Sequence, residues 1–333
     1  MHTKSLFFKL TALILLVGCS SWGFLAHKTI HQLSIYSLPK KMGIFFYKNL
    51  DYEVYNSVRP DVRRKDDKTE ATKHFIDIDA PIFGENPMET MPKTWEDAVK
   101  KYSEDTLIKY GTVPWEIMQL QVKLTNAFRN KLKDSILYYS ADLGHYISDA
   151  HVPLHTTINY DGQLTNQRGL HSLWESTVPE MNIESYNLYQ NHKAQYLKDP
   201  LTVIWGSIWE SKGMLDRVLS DEISATQGFT EEKKFKRSER FGAMRKNYSG
   251  EFAKAYAERL GNTVNERMLA SARCVSDFWF TAWVDAGCPD LSDLQTINDE
   301  DKSKFKSEKK IWKNNELMKN GLLQSRKGKS ESE

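Results

Sequence analysis

His145-Tyr-Ile-Ser-Asp149-Ala-His151-Val-Pro153-Leu-His155, followed sixteen positions later by His171-Ser-Leu-Trp-Glu175, concentrates nitrogen and carboxylate donors in one short stretch. Residues four apart on an α-helix lie one above the other on the same face. A helical reading therefore turns His145 and Asp149 the same way, and does so again for His171 and Glu175. Two segments then each present an imidazole and a carboxylate to a shared centre, a donor set that zinc accepts. Pro153 ends the first helix near His155, so the chain can turn and bring a fifth ligand to the same pocket. One His/acid pair at helical spacing is more often a surface ion pair than a site. Two pairs and a third His, in a chain with nine His in all, argue for a metal centre.

Outward from this stretch the chain reads as helical. Thr94-Trp95-Glu96-Asp97 resembles a capping box that opens a helix running toward Tyr110 and stopping near Gly111. Pro114 suits a first helical turn, and Ile117, Leu120, Leu124 and Phe128 recur at helix spacing behind it. Residues 137–148 carry the first metal pair, and residues 201–218, 251–260 and 264–284 share the periodicity. No alternating run is long enough to argue for a sheet. The aromatic bands at Trp205, Trp209, Trp279 and Trp283 are read as core seams.

Upstream lie weaker donor signals. Asp61, in Arg59-Pro60-Asp61-Val62-Arg63-Arg64, and His74, in Lys73-His74-Phe75-Ile76-Asp77, flank a polar stretch over 65–72 that reads as a loop. Further back, Lys4 and Lys9 accompany an apolar run over 10–17 and then small residues, the pattern of a secretory signal over 1–21 and too short to span a bilayer. Cleavage after Ser21 would leave Trp22 with a free amine. A lipobox reading of Leu16-Val17-Gly18-Cys19 would instead attach lipid at Cys19. Either way an exported protein, periplasmic or extracellular, is expected. A free Trp22 amine and carbonyl could chelate a metal together with His27.

Trp22-Gly23 with His27, the Asp61 and His74-Phe75-Ile76-Asp77 segments, His145-x3-Asp149-x5-His155 and His171-x3-Glu175 together resemble the zinc-dependent phospholipase C and P-one nuclease superfamily. The matching segments run in the family's order over about half of the chain. The resemblance implies an all-α, single multi-helix domain with a zinc cluster in a cleft. It implies three zinc ions: one held by Asp61, His74, His145 and Asp149, a second by His155, His171 and Glu175, and a third by Trp22 and His27 with Asp149 bridging to the first. That third site needs the Trp22 amine, which favours the cut before Trp22. Water held between two zincs would be the nucleophile, and Asp61 is the candidate to orient or deprotonate it. His31 and His151 are not carried over and are read as surface groups or as partners that orient the ligating imidazoles.

Two branches of that superfamily cleave different phosphodiesters. The short step from Trp22 to His27, the His-Phe-Ile-Asp run and the Asp-Ala-His-Val-Pro-Leu-His string are similar to the nucleases; Glu175 and the short gap from His155 to His171 are similar to the phospholipases. The expectation is a nuclease acting on single-stranded nucleic acid, with cleavage of phospholipid headgroups as the alternative and a non-catalytic zinc-stabilised lipoprotein as a further one. Charge does not separate them, since 46 Lys and Arg stand against 44 Asp and Glu. Phe75 could stack on a base or simply pack in the core. Arg64, with Arg63, could clamp a phosphate, although paired arginines on a solvated loop are common. No obligate protein partner is evident.

The domain expectation is a signal over 1–21, a catalytic domain over 22–291 and a charged, partly disordered tail over 292–333, where Lys, Glu, Asp, Asn and Ser dominate. With Cys19 removed or lipidated, Cys274 and Cys288 remain as a pair that an oxidising compartment could join. They are poor zinc ligands for want of a neighbouring thiol.

Overall fold

The structure, a computed structural model, describes residues 23–240 and 243–327. The signal, lipobox and Trp22 readings fall on residues outside these. The described chain is mostly helical. The elements that position the site are α1 (Gly23–Ser37), α2 (Lys40–Lys48), α3 (Leu50–Asn56), α4 (Arg59–Arg63), α5 (Val113–Arg129), α6 (Lys133–Asp149), α7 (Pro200–Gly213), α8 (Leu215–Thr226), α9 (Gly250–Leu260), α10 (Thr263–Asp285) and α11 (Asp299–Lys313).

Four of these helices make the central bundle: α1 and α5 pack against α10, and α6 packs against α1, α5 and α10. Nearly every residue of α1 from Leu25 to Ser37 is buried, so its hydroxyls need partners inside the protein. Thr29 and Ser34 donate to the carbonyls one turn back, Leu25 and Ile30, at 2.8 Å each. Pro114 opens α5, and Ile117, Leu120, Leu124 and Phe128 are its buried stripe. On α10, Trp279 stacks on Phe46 at 4.9 Å between ring centres and donates its indole N–H to Ser140 O of α6 at 3.0 Å. Trp205 and Trp279 are fully buried, while Trp209 and Trp283 are partly buried against the same core.

Two expected helices are broken. The run from Thr94 is capped as expected, Thr94 accepting from Asp97 N, but it stops at Tyr102. Ser103 adopts φ 69, and its hydroxyl caps a second helix, Glu104–Tyr110. The run over 201–218 divides at Met214, between α7 and α8.

Three other expectations are corrected. An antiparallel hairpin, β1 (Phe235–Arg240) and β2 (Ala243–Tyr248), stands before α9, with Phe235 opposite Tyr248. Its strands are charged rather than alternating, so hydrophobic period could not reveal them. Among the described residues, the segment from Ser292 contains α11, opened by a capping box between Asn298 and Asp301, with Phe305 and Trp312 buried. Those two aromatics lie seven residues apart on one helix face, a stripe that average composition conceals. Glu308 accepts from Tyr47 at 2.7 Å and from Tyr36, and Trp312 donates to Leu188 O at 2.7 Å. Cys274 and Cys288 are both free, one buried in α10 and one exposed beyond its end. The helix from 274 to 285 alone rises roughly 16 Å, well beyond disulfide reach.

Candidate metal centre

Eight donor side chains converge at one end of the bundle. His27 comes from the first turns of α1, Asp61 from α4, and His145 and Asp149 from the last two turns of α6. His74 follows a 3-10 turn at Ala71–Lys73, and His155 lies in the 3-10 turn Pro153–Thr156 that breaks the chain after α6. His171 opens a short helical segment, Leu170–Ser172, which widens into a π-turn, Leu173–Thr177, holding Glu175. Single π-turns recur at functional sites because they re-aim one side chain within a helix.

Donor atoms fall into three groups, each within 4.8 Å: His27, His145 and Asp149; Asp61, His74 and His145; and His155, His171 and Glu175. These groups are positioned to hold metal ions. Asp149 presents one oxygen to each of the first two groups. Its Oδ1 lies 3.4 Å from His27 Nε2, while Oδ2 lies 2.9 Å from His74 Nδ1 and 3.3 Å from His145 Nε2. In the third group, His155 Nε2 is 3.1 Å from His171 Nε2, and Glu175 Oε2 is 3.3 Å from the one and 2.5 Å from the other. Glu175 Oε1 also reaches to 3.6 Å from His27 Nε2, so this carboxylate too faces two groups. Asp61 Oδ1 is 3.7 Å from His74 Nδ1, on a side chain that is 26% exposed.

Hydrogen bonds behind the donors fix which imidazole nitrogen points inward. His145 Nδ1 donates to Ser57 O at 2.8 Å and His155 Nδ1 to His74 O at 2.6 Å, leaving each Nε2 toward the centre. His74 is turned the other way, with Nε2 buried and 3.6 Å from Glu70. Glu70 is itself held by Arg63 at 2.9 Å and by Tyr146 Oη. Of these partners only Arg63 was singled out from sequence, and for a different role. Its donors are committed to Glu70, Asp142, Tyr138 and Tyr146, so it does not clamp a phosphate. His31 and His151, read as surface groups or as partners orienting the ligands, are both buried in the protein.

Electrostatics follow from the crowding. Burial alone would raise the Asp149 pKa, yet His145 and His155 hold it well below the usual carboxylate range. Burial likewise opposes ionisation of Glu175, and hydrogen bonds from His155 and His171 overcome it, keeping this carboxylate well below its ordinary value. The imidazoles respond in the opposite sense. Burial works against protonation of His155, but Asp149 and Glu175 raise it to about 9. His74 and His145 are raised against burial chiefly through Asp149. Such a cluster of buried carboxylates demands compensating cations, and metal ions would replace the protons that the imidazoles otherwise take up.

Above the donors opens a cleft of about 420 Å³. Its wall includes Asp149, His155, His171 and Glu175, with Phe24, Asp61, Arg64 and Asp161 around them. Arg64 stands 3.6 Å from Asp61. Phe75 is half-buried, with its ring against Gly111, and is not on this wall. No protein-family model matches the chain, and no curated protein matches it.

Proposed function

We propose that this chain is an exported zinc-dependent phosphodiesterase of the phospholipase C and P-one nuclease type, cleaving single-stranded nucleic acid. The observation that carries the reading is the convergence of five imidazoles and three carboxylates at one end of the bundle, with Asp61, Asp149, His155, His171 and Glu175 on the wall of one cleft and Asp149 divided between two donor groups. Tetrahedral zinc with bonds of about 2.0–2.2 Å needs donors roughly 3.3–3.6 Å apart. The separations of Asp149 from its three imidazoles, 2.9 to 3.4 Å, reach that range, as does that of Glu175 from His155 at 3.3 Å, while Glu175 and His171, at 2.5 Å, stand closer than a shared ion would set them.

In this reading Asp61, His74, His145 and Asp149 would hold one zinc, and His155, His171 and Glu175 a second. His27 and Asp149 would hold the third, together with the amine and carbonyl of Trp22, which lies outside the described residues. Bound zinc lowers the pKa of a water to near 7 and neutralises phosphate charge. Asp61, partly exposed at the cleft wall, would orient an attacking water and accept its proton. Arg64, on the same wall, engages the phosphate. Phe24, also on the wall, offers an aromatic face to a base and is better placed for this than Phe75. A donor set of imidazoles and carboxylates without a thiolate, beside an open cleft, argues against a closed structural site. Asp161 favours a second reading: a carboxylate on the wall suits the cationic end of a zwitterionic phospholipid headgroup better than a polyanion.

The test is hydrolysis of single-stranded DNA by zinc-loaded protein beginning at Trp22, with His155→Ala as the blank. Release of soluble nucleotides above the blank is expected. No release from fully metallated protein would overturn the nuclease reading and turn the assay to phospholipid headgroups.

A further inference from the structure

His145 and His155 each anchor Nδ1 on a backbone carbonyl, but His27 does not: its Nδ1 is buried and has no protein partner. A second nitrogen nearby shares that condition. Trp174, which lies between His171 and Glu175 in the π-turn, has a buried indole Nε1 that also lacks a partner. Both side chains line one cavity of about 30 Å³, distinct from the cleft. That volume suits a single water, and a water remains in such a space only where polar groups meet it. An indole nitrogen can only donate.

Acceptors for such a water's own protons stand on the same wall. His151 Nδ1 is 2.7 Å from Ile147 O, so the proton sits there and Nε2 is an acceptor. Ser148 sends its hydroxyl proton to Gly144 O at 2.7 Å and accepts from Ser271 Oγ at 3.2 Å, which leaves one lone pair on its oxygen.

We propose that this cavity binds one ordered water, which accepts the Trp174 Nε1–H and the His27 Nδ1–H and donates to His151 Nε2 and Ser148 Oγ. Two donors and two acceptors satisfy the water completely. The arrangement gives His27 the fixed tautomer that carbonyls give His145 and His155, directing its Nε2 lone pair toward Asp149 and Glu175. It also ties the π-turn bearing Glu175 to α1. Trp174 is thereby a positioning residue. Its effect on metal rests on the zinc reading above, whereas the water site itself does not.

A crystal structure of the zinc-loaded chain, at a resolution that shows ordered waters, tests the site directly. Density within hydrogen-bond distance of both His27 Nδ1 and Trp174 Nε1 is expected; a dry cavity, or a water touching only one of them, overturns the proposal. Zinc titration of Trp174→Phe tests the consequence. Loss of about 10-fold in affinity is expected for the ion held by His27, with the other ions unaffected, and unchanged affinity for every ion overturns the positioning role. Wild-type protein that binds no zinc would instead remove the metal reading, and the crystallographic result would still decide the water.

Discussion

Asp149 ends α6, where a carboxylate opposes the negative end of the helix dipole. The imidazoles of His27, His74 and His145 around it offset that cost, which is why the residue is intelligible only as part of the cluster. Glu53 shows the opposite behaviour. It is fully buried, takes a hydrogen bond from Ser140 at 2.7 Å, and has one oxygen without a partner, 3.9 Å from His31 Nδ1. Burial pushes its pKa from 4.5 to about 8. The fold therefore binds a proton that the unfolded chain releases above pH 4.5, and stability falls as pH rises from there toward 8. Glu53→Gln keeps an acceptor for Ser140 and carries no charge. Its melting temperature should exceed that of wild type by a margin that grows between pH 5 and pH 8; a constant or shrinking margin in thermal melts would refute the assignment.

At the scale of elements, the His74 segment is set by a close backbone approach. Gly111 has φ 95, and a Cβ there would lie 2.2 Å from Phe75 O. Phe75 O also accepts from Val113 N, and Ile76 N donates to His155 O, so the turns that carry His74 and His155 are tied together. Gly111→Ala should cost about 1–3 kcal/mol or more through backbone strain and weaken zinc binding at His74 and His155 together. Unchanged denaturant midpoint and zinc affinity would show that the turn yields without consequence. The C-terminal helix α11 is held by Trp312, whose indole is buried and bonded to Leu188 O. Trp312→Ala should destabilise the whole protein by about 3–5 kcal/mol in a single unfolding transition. If α11 melted alone, leaving the remainder at wild-type stability, its integration in the core would be disproved.

Over the whole molecule, sequence showed the donors better than their supports. His145 and Asp149 were legible because one helix face places them together, and Pro153 marked the turn that brings in His155. Ser57 was not legible, since a backbone carbonyl has no residue signature and this one meets His145 from 88 positions away. Glu70 read as part of a polar loop, and only the fold sets it behind His74 with Arg63 and Tyr146. The tail misled because its buried face consists of few aromatics among many lysines and glutamates. Whether the eight converging side chains form a multi-zinc centre is read out by zinc-edge anomalous diffraction from protein beginning at Trp22. Three anomalous peaks are expected, one at each donor group, with Asp149 between two of them. Crystals grown with zinc that show no peak among His27, His74, His145, His155 and His171 would contradict the multi-zinc centre.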